Sequence, residues 1–222
     1  MDYISGIASA FKTYIGEEAI GELQDNITDK PMILIAGDQL TGKSTQAKRL
    51  AEFFRGSFYS VGSLFREAAK NRGITVAEQA RLLLVERGID VEIDYKTCQV
   101  ITGAEIDTNL GVVEGRQPAY MGSFMASLGK KHLVRLYLRC SIREQALRFL
   151  RREAGEQAYL EGKSQIPEKD YKNLESLNNE IESLEIEGRD EIMTDFIENQ
   201  SRDEDDRHRY SELYGFDYGN LK

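Results

Sequence analysis

The stretch GDQLTGKST, Gly37–Thr45, decides the fold of this 222-residue chain. It matches the pattern G-x-x-x-x-G-K-[ST] without a mismatch. A continuous apolar run at residues 32–36 precedes it, and residues 45–54 carry apolar side chains at helical spacing. A buried strand that leads through a glycine-bounded loop into a helix is the βα unit with which many α/β folds begin.

The residue types in this stretch suit a loop that wraps around phosphate groups. Gly37 and Gly42 let the backbone curl so that its N–H groups point at phosphate oxygens, and the helix that follows adds its N-terminal dipole. Lys43 can bridge β- and γ-phosphates, and the Ser44 hydroxyl can bind Mg²⁺. We call residues 37–45 the phosphate loop and predict that they bind ATP. The predicted ATP-binding residues are Gly37, Asp38, Gln39, Leu40, Thr41, Gly42, Lys43, Ser44 and Thr45.

Further apolar runs predict a parallel sheet. Gly111–Glu114 and Leu133–Leu138 resemble buried strands, and a short strand is expected at Phe58 and Tyr59. Helical spacing is present between these runs, over residues 64–71, 76–87 and 95–106. Alternating strands and helices predict the α/β class, with helices on both faces of the sheet.

Two segments lie outside this pattern. Residues 1–30 have apolar side chains at helical spacing and predict an N-terminal helical extension, which either packs against the domain or docks a partner. A basic helix is predicted over residues 141–152. Residues 153–200, which follow it, are rich in Glu and Lys, and we interpret them as a solvated helical excursion rather than a second core.

The composition excludes several classes of protein. Hydrophobic residues make up 41% and charged residues 30%, as in soluble globular proteins. The formal net charge of −9 argues against a general nucleic-acid-binding role. No apolar stretch approaches the ~18 residues of a membrane span. The 2 cysteines and 2 histidines predict neither a disulfide framework nor a His-rich metal site. A reducing, cytoplasmic location is expected, without excluding an organelle.

Four segments resemble, in order, those of cytidylate kinases, a family of nucleoside monophosphate kinases. The third and fourth resemble archaeal members in particular, and the fourth carries the R-D-x-x-D-x-x-R signature. The resemblance covers residues 31–217 apart from 153–200. The four segments are the phosphate loop with KSTQAKRLAEFF, then FYSVGSLFREAAKNRGIT (58–75), GVVEGRQPAYM (111–121) and RDEDDRHRYSELYGFD (202–217).

The resemblance implies a P-loop kinase fold in three layers, over a domain of residues 31–222. Residues 60–106 would form a helical acceptor-binding region, and residues 141–201 an enlarged lid with a polar helical insertion. The family's last core strand and helix would follow where the sequence stops at Lys222, so that strand is expected to be absent. The sheet edge left open would need cover from the N-terminal extension or from another chain.

The resemblance also assigns roles to residues. Arg66 would hold the acceptor's α-phosphate, Asp206 would lie near its sugar and base, and Glu114 would hold a Mg²⁺-bound water. The implied acceptor-binding residues are Ser60, Gly62, Arg66, Arg116, Arg202, Asp206 and Arg209. The implied catalytic residues are Lys43, Arg116 and the lid arginines Arg148 and Arg152, and the metal residues are Ser44 and Glu114.

Each arginine also has a purely structural interpretation. Arg148 and Arg152 lie one helical turn apart among glutamates and would then be surface residues. The arginines of the fourth segment would then pair with its aspartates. Phosphoryl transfer needs in-line positioning and positive charge rather than a catalytic triad, so arginines are the residues to look for.

The implied reaction moves the γ-phosphoryl group of ATP, with Mg²⁺, onto CMP or dCMP. Three positions depart from the family. Leu40 replaces a common glycine and is strained if φ is positive there, Ser60 stands where bacterial members have Asp, and Gln117 replaces an Asp that helps to read cytosine. The departures leave alternatives open: an adenylate or UMP/CMP kinase, another small-molecule kinase, or a catalytically weak nucleotide-binding subunit of a larger assembly.

Overall fold

Four parallel strands form the central sheet of the structure, a computed structural model that describes residues 2–83, 85–171, 174–183 and 189–216. Their order across the sheet is β2-β3-β1-β4. In the register, Ile33 of β1 lies between Val112 of β3 and Val134 of β4. The predicted strand positions are confirmed. The strands are β1 (Met32–Gly37), β2 (Ser57–Ser60), β3 (Gly111–Glu114) and β4 (Leu133–Leu138).

Helices connect these strands, as the alternating pattern predicts. None of them, as far as the structure describes them, is long and apolar enough to cross a membrane. Helix α8 is kinked at Gly155, whose φ of 86° and ψ of −175° are not helical. The described helices are α1 (Tyr3–Tyr14), α2 (Ala19–Asp25), α3 (Lys43–Phe54), α4 (Val61–Asn71), α5 (Val76–Leu82), α6 (Gly88–Thr102), α7 (Pro118–Ser127), α8 (Ile142–Gln165), α9 (Leu174–Glu182) and α10 (Arg189–Tyr214).

The sheet is covered on both faces, so the predicted α/β class with three layers is confirmed. On one face, Ile33 and Ile35 of β1 pack against Ala47 and Ala51 of α3. The opposite face of β1, which carries Met32 and Leu34, packs into a larger core with α6 and α7. All six residues of β1 are buried, as expected for a strand inside a parallel sheet.

β4 lies at the edge of the described sheet. Its only strand partner within the described ranges is β1. Val134 and Leu136 pair in register with Ile33 and Ile35 and therefore share the α3 face, yet they are 51% and 39% exposed. The strand thus presents apolar side chains and backbone hydrogen-bonding groups at one edge.

The N-terminal residues contribute to the core. Asp2 caps α1 by accepting a hydrogen bond from the Ile4 N–H at 2.8 Å. Ile7 and Phe11, one turn apart on α1, are both 0% exposed. The Phe11 ring meets the rings of Tyr95 and Phe124 edge-on, with centroids 5.3 and 5.5 Å away. Helix α1 is therefore part of the packed interior.

The structure divides into two compact units. The first contains Met1–Gly37, Gly42–Leu138 and Arg207–Lys222, and the second contains Asp38–Thr41 and Arg139–Asp206. The predicted boundaries at residues 30, 60–106 and 141–201 stay predictions.

The second unit has a hydrophobic core of its own. Phe149 of α8, Leu177 and Ile181 of α9 and Phe196 of α10 are each at most 2% exposed and pack in one cluster. The interpretation of residues 153–200 as a solvated excursion is therefore wrong. Apolar residues at helical spacing bury one face of each helix, although most of the remaining residues are polar.

The burial of α1 gives a prediction about stability. Phe11→Ala removes a fully buried ring, so we expect the free energy of unfolding to fall by about 3–5 kcal/mol. Urea unfolding followed by circular dichroism measures the change. The matched control is Phe53→Ala, since Phe53 on α3 is 79% exposed; it should change the value by less than about 0.5 kcal/mol. Equal effects of the two substitutions would contradict the packing of α1.

Candidate functional site

The phosphate loop bends where the sequence predicts it. Gly37 and Gly42 have φ of 151° and 87°, values that glycine adopts readily. Gly42 is the N-cap of α3, so Lys43 and Ser44 occupy the first turn of the helix, whose backbone N–H groups have no acceptor within the helix and suit an anion. Leu40 has φ of 61°, which confirms the prediction of strain at this position.

The tip of the loop, residues 38–41, belongs to the second unit. The Thr41 hydroxyl donates to the Asp38 carbonyl at 2.8 Å and closes a local turn. Arg148 Nη1 donates to the Leu40 carbonyl at 3.0 Å, while Arg148 Nε donates to Glu144 Oε1 at 2.8 Å. Arg148, which the resemblance implies to be a catalytic arginine of the lid, thus contacts the phosphate loop and also pairs with a glutamate.

Arg152 is in a different environment from Arg148. Its Nε donates to Glu153 Oε1 at 2.6 Å, and its guanidinium lies 4.9 Å from the centroid of the Phe149 ring. The side chain is exposed. These contacts agree with the interpretation of Arg152 as a surface residue, and its catalytic role stays a prediction.

Three predicted acceptor-binding residues lie together at the start of α4. Ser60 is the N-cap, and a Cβ placed on Gly62 would lie 3.6 Å from Ser60 Oγ and 3.5 Å from Arg66 Nη1. Ser60 Oγ donates to Glu114 Oε1 at 2.5 Å. Glu114 ends β3 beside β1, the strand that leads into the phosphate loop. The first unit therefore gathers a serine, an arginine and a buried carboxylate at the carboxyl end of the sheet.

A second group surrounds Asp90 of α6. Arg209 Nε lies 3.0 Å from Asp90 Oδ2 in an ion pair that is almost fully buried. Burial raises the pKa of Asp90, while Arg209, then Arg87 and Arg116, oppose that shift. Of the predicted acceptor-site arginines, Arg209 is thus paired with this carboxyl group, and Arg116 lies near enough to lower its pKa. Asp90, the partner of Arg209 in this ion pair, lies outside the fourth segment.

Other predicted residues of the fourth segment lie on α10 in the second unit. Arg202 is exposed and Asp206 is half-buried, one turn further along the helix. Asp203, between them, is buried, and its Oδ2 accepts the Gln39 N–H of the loop tip at 3.3 Å. Asp217, the last residue of that segment, lies outside the described residues.

Sequence analysis missed a buried polar group on α6. Asp94 is 0% exposed and accepts hydrogen bonds from the Gln117 side-chain amide and, at 2.6 Å, from the Tyr214 hydroxyl. The signal was available, because Asp90 and Asp94 are spaced by one helical turn among apolar residues. The helix was instead predicted to begin at residue 95.

The carboxyl group of Asp94 binds its proton more tightly than an exposed aspartate does. Burial, together with the neighbouring Asp90, raises the pKa of Asp94 to about 8, although hydrogen bonds from Tyr214 and Gln117 oppose the shift. Asp94 is therefore mostly neutral at pH 7. An uncharged Asp94 avoids placing a second buried negative charge one helical turn from Asp90.

The donor groups in the site suit Mg²⁺ bound together with phosphates. Within the described ranges, no group of three or more His, Cys, Asp or Glu side chains is placed to hold a metal by itself. Mg²⁺ usually takes one or two protein oxygens and completes its shell with phosphates and water. The hydroxyl of Ser44 at the start of α3 and the carboxylate of Glu114 are oxygens of this kind. The residues present therefore fit the ion.

The pKa of Asp94 predicts how stability depends on pH. Between about pH 4, where an aspartate titrates in the unfolded chain, and about pH 8, where Asp94 titrates in the folded protein, only the folded protein holds this proton. The contribution of Asp94 to the free energy of unfolding must therefore fall as the pH rises through that window. Asp94→Asn cannot lose the proton, so its stability relative to the wild type should increase from about pH 5 to about pH 8.5.

Urea unfolding at several pH values measures this difference. Asp107→Asn changes an exposed aspartate of the same unit and is the matched control. The free energy of unfolding of Asp107→Asn should change with pH in the same way as that of the wild type. A parallel curve for Asp94→Asn as well would show that Asp94 does not hold the extra proton.

Comparisons with known proteins agree with the resemblance to cytidylate kinases. The chain is 36% identical to the cytidylate kinase of Desulfurococcus amylolyticus over 96 residues, 43% of this chain and 50% of that protein. It is 46% identical to that of Aeropyrum pernix over 79 residues, 35% of this chain and 46% of that protein. The match to the Methanococcoides burtonii protein is 30% over 122 residues, 55% and 63% of the two chains.

Each of these matches covers only part of the two proteins, and a family model matches a longer part of this chain. The chain spans about half the length of the first curated relatives that it matches. No solved structure shows a significant match. The model of the AAA domain matches residues 40–166, which is more than half of the 222 residues. The match includes most of the phosphate loop, Ser60–Arg66 and α8. The chain therefore belongs to the AAA domain family.

Proposed function

We propose that the protein transfers the γ-phosphoryl group of ATP to a nucleoside monophosphate, with CMP and dCMP as the preferred acceptors. The observation that carries this proposal is the phosphate loop, in which Gly42 turns through positive φ directly before Lys43 at the start of α3. The names of the relatives, which are cytidylate kinases, support the choice of acceptor.

The phosphate loop would bind the donor. The N–H groups at the start of α3 would face the phosphates of ATP, and Lys43 would neutralise the charge that develops on the transferred group. Ser44 would bind Mg²⁺ directly, and Glu114 would orient a water of its shell. The bound ion would add positive charge at the phosphates.

The arginines of the first unit would bind the acceptor. Arg66, beside Ser60 and Gly62, would hold its phosphate, with Arg116 as a second cation. The phosphate oxygen of a monophosphate is already ionised near neutral pH, so these residues need only place it in line with the donor. No general base is required.

The second unit would act as the lid. In this proposal, Arg148 and Arg152 of α8 would approach the phosphates during closure, and closure would exclude water so that ATP is not hydrolysed instead. Arg202 and Asp206 of α10 would complete the acceptor site together with Arg209. A protein partner or an oligomer, held through the N-terminal extension or the open sheet edge, stays a prediction from the sequence. So does a cytoplasmic location.

An activity panel tests the reaction. Purified protein with ATP and Mg²⁺ should phosphorylate CMP and dCMP faster than AMP or UMP in a coupled assay of ADP formation. Lys43→Ala and Arg66→Ala should each lower kcat/KM by at least about a hundredfold, since each removes a cation from the transferring or accepting phosphate. Lys163→Ala, an exposed lysine of α8, should leave the rate unchanged.

Each other outcome has a distinct meaning. Faster turnover of AMP or UMP would assign the other base specificity, and transfer only to an acceptor that is not a nucleotide would indicate another small-molecule kinase. ATP binding without turnover of any monophosphate would overturn the proposal in favour of a nucleotide-binding subunit. Equal activity of Lys43→Ala and Lys163→Ala would contradict the role of the phosphate loop.

A further inference from the structure

The phosphate loop contains a leucine where its backbone favours glycine. Leu40 has φ of 61°, and within the described ranges the other non-glycine residues with positive φ are Arg55 and His132. Side chains with a Cβ populate this region rarely, because the Cβ approaches the following carbonyl oxygen. A residue that keeps such a conformation is held there by its surroundings.

Those surroundings are the core of the second unit. The Leu40 side chain packs against the cluster that includes Ala146, Leu147 and Leu150 of α8. Glycine at this position would relieve the backbone strain but would lose the whole contact. The sequence thus retains an apolar side chain at a position with positive φ, where it packs the loop against a folded core.

Polar contacts reinforce the same attachment. The Leu40 carbonyl accepts from Arg148 Nη1 at 3.0 Å and from the Cys140 thiol at 3.8 Å. One residue earlier, the Gln39 N–H donates to Asp203 Oδ2 at 3.3 Å, and Asp203 is only 4% exposed. The tip is therefore held on both sides of its strained residue, by α8 on one side and by α10 on the other.

We infer that Leu40 is a positioning residue: it anchors the tip of the phosphate loop in the core of the second unit and so sets the loop in the shape that receives the phosphates of ATP. This inference rests on the proposed function, because ATP is the ligand whose binding it affects. Leu40 acts through packing and through the backbone that it fixes. It needs no contact with the reacting atoms.

Substitutions at Leu40 separate anchoring from simple strain. If the leucine only strains the loop, Leu40→Gly should bind ATP at least as tightly as the wild type. If the leucine anchors the loop, Leu40→Gly and Leu40→Ala should both raise the Kd for ATP about tenfold, whereas Leu40→Met, which retains most of the apolar contact, should stay within about twofold. The KM for the monophosphate should not change.

The experiment is isothermal titration of ATP with Mg²⁺ into the full chain, followed by steady-state kinetics with CMP. Leu160→Ala is the matched control, since Leu160 is a leucine of the same unit that is 51% exposed; it should leave the Kd unchanged. Thermal melts of every variant show whether the second unit remains folded.

Hydrogen exchange provides a readout that does not depend on ATP. In the wild type, the Gln39 amide should be protected by its bond to Asp203, and Leu40→Gly should lower that protection about tenfold, while Leu160→Ala should not. A Leu40→Gly variant with unchanged Gln39 protection and an unchanged Kd would overturn the anchoring role. A wild type that binds ATP but phosphorylates no monophosphate would overturn the proposed reaction alone.

Discussion

The turn from β1 into α3 depends on backbone conformations that few residues tolerate. Gly37, Leu40 and Gly42 all have positive φ within six residues. The turn also needs a fixed starting point, and β1 provides it, because all its residues are buried between β3 and β4. A strand without freedom to shift, followed by a loop with a narrow set of allowed angles, places the first turn of α3 reproducibly. An anion-binding helix terminus needs a constraint of this kind.

Two carboxyl groups are buried in the first unit, and their desolvation costs free energy. Asp90 and Asp94 lie one turn apart on α6 inside an apolar core, where an isolated charge would be strongly unfavourable. The ion pair with Arg209 stabilises one carboxylate, and a raised pKa keeps the other neutral. Both carboxyls bond to groups on other helices, so they fix the ends of α7 and α10 as well as their own. We interpret the pair as a device for positioning rather than for stability.

Much of the fold of the first unit follows from local pattern. The residues of β3 and β4 are predicted to the residue, because apolar side chains predominate in both, although only β3 is buried and β4 lies at the sheet edge. The start of α6 cannot be predicted from local pattern, because Asp90 and Asp94 break the run of apolar residues. Their partners, Arg209 and Tyr214, are more than a hundred residues away in the sequence. Periodicity detects burial of apolar groups and is insensitive to a buried carboxyl whose partner is distant.

The candidate site shows the same division between local and distant information. The bend of the phosphate loop and the grouping of Ser60, Gly62 and Arg66 are local, so motif spacing suffices to predict the first and a resemblance to predict the second. The pairing of Arg209 with Asp90 is distant, and no spacing within the fourth segment indicates it.

The hydrophobic core of the second unit changes the interpretation of residues 153–200. Leu177 and Ile181 follow helical spacing, but glutamates and asparagines surround them, so the apolar stripe is narrow and α9 alone could not bury it. Phe149 and Phe196, with ring centroids 5.2 Å apart, supply the remaining surface from α8 and α10. Leu40 joins this cluster from a loop whose flanking residues belong to the sheet unit. The phosphate loop therefore depends on two cores, because its ends are fixed by one and the strained residue at its tip by the other.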